Sequence, residues 1–181
     1  HLDGSPEQEI IIPTGCLFDA GISLQVVDET AFDALYLADG AWGTDFNASL
    51  TEVTSFVTLE VDQLPGGSEY LVERGFEVSG TSSDVVNVFR NLQAGEKSLS
   101  FGSYTTLSFD IKNNIPMELI LVENGLTNWE DRLRLEIPTH LNSDRVVINL
   151  AEFFGGQKPA ELDIQTIVFS YVNQSGSTEY F

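Results

Sequence analysis

The stretch GLTNWEDRLRLEIP, residues 125–138, begins with polar, turn-forming residues, passes into strict alternation of apolar and charged side chains, and stops at a proline. A period of two is the signature of a pleated strand with one buried face. Leu133, Leu135 and Ile137 fall on one side; Arg132, Arg134 and Glu136, with Glu130 in the same phase, fall on the other. The chain has only five arginines, so a pair of them on one strand face beside Trp129 raises two readings. Either they line a ligand groove, or they are a solvated face with cross-strand ion pairs.

The same alternation recurs outward from this stretch. TTLSFDIK (105–112) sends Leu107, Phe109 and Ile111 inward and Thr106, Ser108, Asp110 and Lys112 outward. VTSFVTLEV (53–61) places Val53, Val57, Leu59 and Val61 on one face and Thr54, Phe56, Thr58 and Glu60 on the other. MELILVE (117–123) follows the turn NNIP, and RVVINL (145–150) and QTIVFSYV (165–172) are apolar enough to be central strands. IIIP, GISLQVV, YLVERGFEVS and DVVNVFR are further strands. Turn residues separate them: PGG at 65–67, SGTSSD at 79–84, QAGE at 93–96, GG at 155–156 and NQSGS at 173–177. Regular strands with Gly-rich turns predict an all-β, antiparallel sandwich or barrel. DETAFDALYLADG (28–40) is the exception, with Phe32, Leu35 and Tyr36 at helical spacing. No repeat or long linker divides the 181 residues, so 1–181 is read as one domain.

Acids outnumber bases 28 to 8, for a net charge of −20. Such a field repels phosphate backbones and anionic lipid, so nucleic acid and membrane are not the expected partners, whereas cations are favoured near it. No run reaches the roughly 20 apolar residues of a membrane span. HLDGSPEQE at the N-terminus lacks the basic and apolar regions of a signal peptide, and the chain is read as a mature segment of a longer secreted protein. Cys16, the sole cysteine, rules out an intrachain disulfide and a thiolate metal cluster; it reads as a small buried hydrophobe.

From about residue 70 onward the order of core residues resembles the galactose-binding-domain-like jelly rolls of secreted bacterial proteins, found as carbohydrate-binding modules and of the complex-I intermediate-associated type. Leu107, Phe109, Ile111 and Lys112 match one recurring element, Ile148, Leu150 and Phe153 a second, and Ile164, Ile167 and Phe169 a third. The likeness covers 70–181, while 1–50 matches poorly. It implies a jelly-roll sandwich and a carbohydrate-binding role. In that pattern a closing strand is expected after the last element; either STEYF (177–181) supplies it or the sheet keeps an open edge.

On this reading Arg132, Arg134 and Glu130 face a groove in which forked guanidinium and carboxylate groups suit sugar hydroxyls, with Asp110, Arg90, Ser108 and Glu118 as contributors from other strands. Trp42, flanked by Gly40 and Gly43, is the expected stacking platform, with Tyr36, Phe46 and Asn47 as companions; the alternative is a ring folded back onto the core. Trp129 shares the phase of Leu133 and is expected in the core. Calcium is the expected metal, held in a structural site by Asp28, Glu29, Asp39 and Asp45, with Asp33 nearby; no EF-hand loop is present. Catalytic signals are sparse: His140 has no nucleophile-elbow motif beside it, and Glu118 with Glu130 is a conceivable carboxylate pair. The expectation is therefore a non-catalytic module that binds a polysaccharide or other glycan weakly, within an extracellular multidomain protein. The alternatives are an interaction or spacer domain packed on a neighbouring domain, and a small glycan-active enzyme.

Overall fold

The computed structural model describes residues 18–19, 22–25, 42–60, 73–93 and 97–181. The strands are β1 (Phe18–Asp19), β2 (Ile22–Gln25), β3 (Gly43–Phe46), β4 (Thr51–Glu60), β5 (Glu73–Ser82), β6 (Val85–Asn91), β7 (Leu99–Ser100), β8 (Thr106–Asn113), β9 (Met117–Glu123), β10 (Leu133–Ile137), β11 (His140–Asn149), β12 (Asp163–Val172) and β13 (Glu179–Tyr180). Every pairing is antiparallel.

Six strands form one sheet in the order β10-β9-β12-β6-β3, with β7 paired to the end of β12. A four-stranded sheet, β1-β2-β8-β11, and a three-stranded one, β13-β5-β4, complete the described architecture. From β8 onward the chain crosses between layers, with β9 and β10 in the large sheet, β11 back beside β8, and β12 across again. This is an antiparallel β-sandwich of jelly-roll type. Among the described residues no helix is long and apolar enough to cross a membrane.

One core joins the layers. Val88, Leu119, Leu121, Ile137, Ile167 and Phe169 from the large sheet meet Leu107, Phe109 and Ile148 from the four-stranded sheet, while Phe56, Phe76 and Val78 pack on the same cluster from β4 and β5. The inward phases of 105–112 and 131–137 are thus as the alternation predicts. In β4 the phase changes: the pairing slips between Val53 and Ser55, so Thr51 and Val53 point inward before the slip and Phe56 after it, leaving Val57 exposed. A bulge inserts one residue and inverts every side chain beyond it. RVVINL lies on β11, which ends the four-stranded sheet among the described strands, so it is not central there; QTIVFSYV is central, between β9 and β6. Residues 28–40 and IIIP lie outside the described residues.

Buried polar ties hold the strand ends. The Asn113 amide donates to the carbonyls of Ile115 (2.6 Å) and Pro138 (3.0 Å), and its oxygen accepts from His140 N–H. One side chain therefore joins the β8–β9 and β10–β11 turns. STEYF does pair: Glu179 and Tyr180 lie opposite Ser82 and Thr81 of β5, and Phe181 and Gly80 exchange both backbone hydrogen bonds. A Cβ on Gly80 would collide with the Glu52 carbonyl oxygen and come within 2.7 Å of the Phe181 ring. The obstruction includes backbone, which cannot swing away. Gly80→Ala is expected to cost about 1–3 kcal/mol, read as a lowered urea midpoint.

Behind β13, the buried Tyr171 hydroxyl donates to Glu179 at 2.5 Å. Burial, then the hydrogen bond and charge of Glu179, push the Tyr171 phenol up to about 12, and the same bond lowers the Glu179 carboxyl below its usual range. A phenol whose pKa rises on folding stabilises the protein fully below its unfolded value of about 10, and that stability is lost as pH climbs toward the folded value. Melting temperatures of the wild type and Tyr171→Phe, compared between pH 8 and 12, should converge as pH rises through the 10–12 window. A constant gap across that window would show that the phenol does not titrate there.

Candidate functional site

Cross-strand registers assemble the outer face of the large sheet row by row. In one row Arg134 lies opposite Ile120, then Val168, Phe89 and Gly43, running across β10, β9, β12, β6 and β3. In the next, Glu136 lies opposite Glu118, then Ser170, Asn87 and Asp45. A third begins with Val122, Thr166 and Asn91. An apolar row therefore runs across the strands with a polar row alongside it. Ile120 and Val168 are buried even though they point away from the core. A groove of about 480 Å³ lies over this face, lined by Thr44, Asp45, Asn87, Phe89, Val122, Trp129, Thr166 and Val168.

Two aromatic rings stand in it. Phe89 is half-buried and lies over Gly43; a Cβ there would meet its ring at 2.7 Å, so a glycine on β3 is what lets the ring lie flat on the strand. Trp129 is 45% exposed and belongs to a three-residue 3₁₀ turn, Trp129–Asp131, capped by the Asn128 side chain. The expectation that Trp129 is core is overturned for a local reason: β10 begins at Leu133, so the strand's alternation does not extend back to 129.

Arg132 and Arg134 both reach Glu118, each at 3.4 Å. Arg132 also donates to the Trp129 carbonyl at 2.9 Å and places its guanidinium carbon 5.0 Å from that ring's centroid. Glu130 lies 3.8 Å from Arg132 and is largely exposed. The ion-pair reading of the opening stretch is the one seen here: Arg132 and Arg134 are tied across the strands to Glu118, and neither they nor Glu130 line the groove, which they approach through Trp129.

Other expected contributors are elsewhere. Trp42 is not an exposed platform but a core residue, 4% exposed, with its ring 4.7 Å from that of Phe76 and 6.2 Å from that of Phe169. Arg90 is buried over Trp42, its guanidinium carbon 5.6 Å from the ring centroid. It shares the phase of Val86 and Val88, which carries it inward. Asp110 sits on β8 in the other layer, where Arg145 grips it with two bonds of 2.6 and 2.8 Å. Tyr36, Asp28, Glu29 and Asp39 lie outside the described residues. Asp45 is exposed on β3 at the groove edge, and among the described residues no three His, Cys, Asp or Glu gather as a metal site. His140 is on β11 in the other layer, 3.0 Å from Asp144.

Phe89, Asn87 and Thr166 escaped the sequence reading. For Phe89 and Asn87 the signal was present in DVVNVFR, where an aromatic occupies the polar phase between inward Val88 and Arg90; Thr166 lies in QTIVFSYV, read there only as a central strand. A larger cleft, about 790 Å³, runs from the core rings Trp42, Phe76, Phe109 and Phe169 out to exposed Glu77, Asp110, Asn114 and Leu141. Its deep end is lined by core rings, and Asn113 beside it has its hydrogen bonds filled. The outer groove brings the exposed Trp129 ring together with polar Asp45, Asn87 and Thr166.

No family model matches the chain, and no curated protein matches it. Two solved structures are similar. One is a family 11 carbohydrate-binding module from Clostridium thermocellum in complex with a beta-1,3-1,4-mixed-linked tetrasaccharide, 14% identical with a TM-score of 0.40, covering 77% of this chain and 83% of that one. The other is the family 11 carbohydrate-binding module of the cellulosomal cellulase Lic26A-Cel5E of Clostridium thermocellum, 13% identical with a TM-score of 0.41, covering 81% of this chain and 86% of that one.

Proposed function

We propose that this chain is a non-catalytic carbohydrate-binding module that holds a polysaccharide along the outer face of its large sheet. The supporting observation is the groove in which the Trp129 and Phe89 rings stand with apolar Val122 and Val168, beside polar Thr44, Asp45, Asn87 and Thr166. A pyranose ring has one such division of its own: C–H faces that stack on aromatic rings and hydroxyl edges that need hydrogen-bond partners. The groove is shallow, so binding is weak, with affinity resting on a few stacking and hydrogen-bonding contacts. The module works within an extracellular multidomain protein and keeps its neighbours close to the glycan. A spacer role against a neighbouring domain is the second reading, favoured by Leu141 and Val147, which are 71% and 63% exposed on β11.

Titration calorimetry against a panel of soluble polysaccharides tests the proposal. Trp129→Ala and Phe89→Ala should each weaken binding about tenfold, the equivalent of roughly 1.4 kcal/mol, whereas Asp110→Asn in the other layer should leave it unchanged. Binding to no glycan, or equal loss from the Asp110 change, would remove the reading. Hydrolysis of a polysaccharide, abolished by Glu130→Gln, would make the chain an enzyme instead.

A structural calcium among Asp28, Glu29, Asp39 and Asp45 is a separate part of the proposal, resting on the hard-oxygen chemistry of those residues. Calcium in place of EDTA should raise the melting temperature by several degrees, on the order of the ligand-linkage effect for a site filled well above its Kd. Identical melting with and without EDTA would rule it out.

A further inference from the structure

We propose that Arg132 is a positioning residue: it fixes the Trp129 ring as a wall of the groove and is not itself a ligand contact. This deepens the reading of the groove as a glycan site and rests on it for its purpose, though the positioning can be observed without any glycan.

Trp129 is 45% exposed, and among the described residues Arg132 is the cation that lies over its ring. The ring projects from a three-residue 3₁₀ turn with no buried residue, and the turn is closed by bonds among exposed polar groups: Asn128 Oδ1 accepts from Glu130 N–H at 3.3 Å, and Asn128 Nδ2 donates to Asp131 at 3.1 Å. Those bonds set the backbone and leave the indole's rotation open. The guanidinium of Arg132 addresses that rotation. Its carbon lies 5.0 Å from the ring centroid, within the range where a cation is drawn to an aromatic face, and its Nη1 holds the carbonyl of the same residue at 2.9 Å. Backbone and ring of Trp129 are thus gripped by one planar group.

Arg132 is anchored in turn. Nη2 meets Glu118 Oε2 at 3.4 Å and Nη1 lies 3.8 Å from Glu130, and only 9% of the side chain is exposed. A guanidinium so enclosed offers little to a passing hydroxyl. Arg134 differs: it shares Glu118 at 3.4 Å but half of its side chain is exposed, which leaves fork donors facing the solvent. Glu118 is therefore the anchor of both arginines, with Arg132 turned to the ring and Arg134 to the solvent. A lysine at 132 could pair with Glu118 but could not also stack and hold the carbonyl, because those contacts need the planar fork.

The test uses the full chain without ligand. Acrylamide quenching and near-UV circular dichroism report the Trp129 ring, with Trp129→Phe supplying the contribution of buried Trp42. Arg132→Met and Arg132→Lys should each raise Trp129 quenching about twofold and weaken its dichroism, while Arg134→Met leaves both signals at wild-type values. Because Arg132 is largely enclosed, its replacement is expected to lower the melting temperature, so ring signals are compared well below each variant's own transition. Ring signals in Arg132→Met equal to the wild type would overturn the proposal, as would full restoration by lysine, which would reduce the role to charge. Titration with cellohexaose, xylohexaose and mannohexaose then separates the two claims. Ring signals that respond although no hexaose binds would keep the positioning role and remove the glycan reading. Affinity lost in Arg132→Met with ring signals intact would make Arg132 a direct contact instead.

Discussion

The pleat of β12 is the constraint on which the groove and the core both depend. Ile167 and Phe169 enter the core while Thr166, Val168 and Ser170 take the other face, and β9 and β6 are registered on β12 from either side. Each buried side chain of this size stabilises the fold by about 1.5–3 kcal/mol relative to leaving it in water. A slip of one residue would expose those side chains and bury the polar row with Glu118 and Asn87 in their place. The hydrophobic effect that seals the interior thus also fixes which side chains form the groove. The slip in β4 shows the same rule locally, since one extra residue there turns Val57 outward and Phe56 inward.

Electrostatics shapes the groove's edge. In a chain of net charge −20 the few cations are valuable partners, and two of the five arginines converge on one carboxylate, Glu118. A third, Arg145, forms a two-pronged pair with Asp110 on the opposite layer, where no ring accompanies it. A fourth, Arg90, lies inside over Trp42. The same residue type therefore serves as ring support, surface pair and interior cap, according to the phase and layer in which its strand places it.

Edges of the sandwich are held by specific polar bonds more than by bulk. Asn113 joins two turns, the Asn173 amide donates to the carbonyls of Ser82 and Ser177, and Tyr171 bonds to Glu179 behind the last strand. Buried or half-buried groups of this kind are costly when left unmatched, so they favour one arrangement of the turns over near alternatives.

The all-β class, the antiparallel sandwich, and the inward faces of 105–112 and 131–137 were legible in the sequence because alternation is a local property: each residue's phase follows from its neighbours and the pleat. The outward phase of Arg134 and Glu136 was legible for the same reason. What lies opposite what is not local. The row from Arg134 to Gly43 spans five strands far apart in sequence, so the meeting of Phe89 with Trp129's groove was decided only by their pairing. The two tryptophans show the limit most clearly. Trp42 reads as a loop ring and Trp129 as a strand ring, yet the first fills space against Phe76 and Phe169 and the second stands exposed on a turn before its strand begins. Burial of a side chain depends on the volume left by distant elements, and only the folded chain defines that volume.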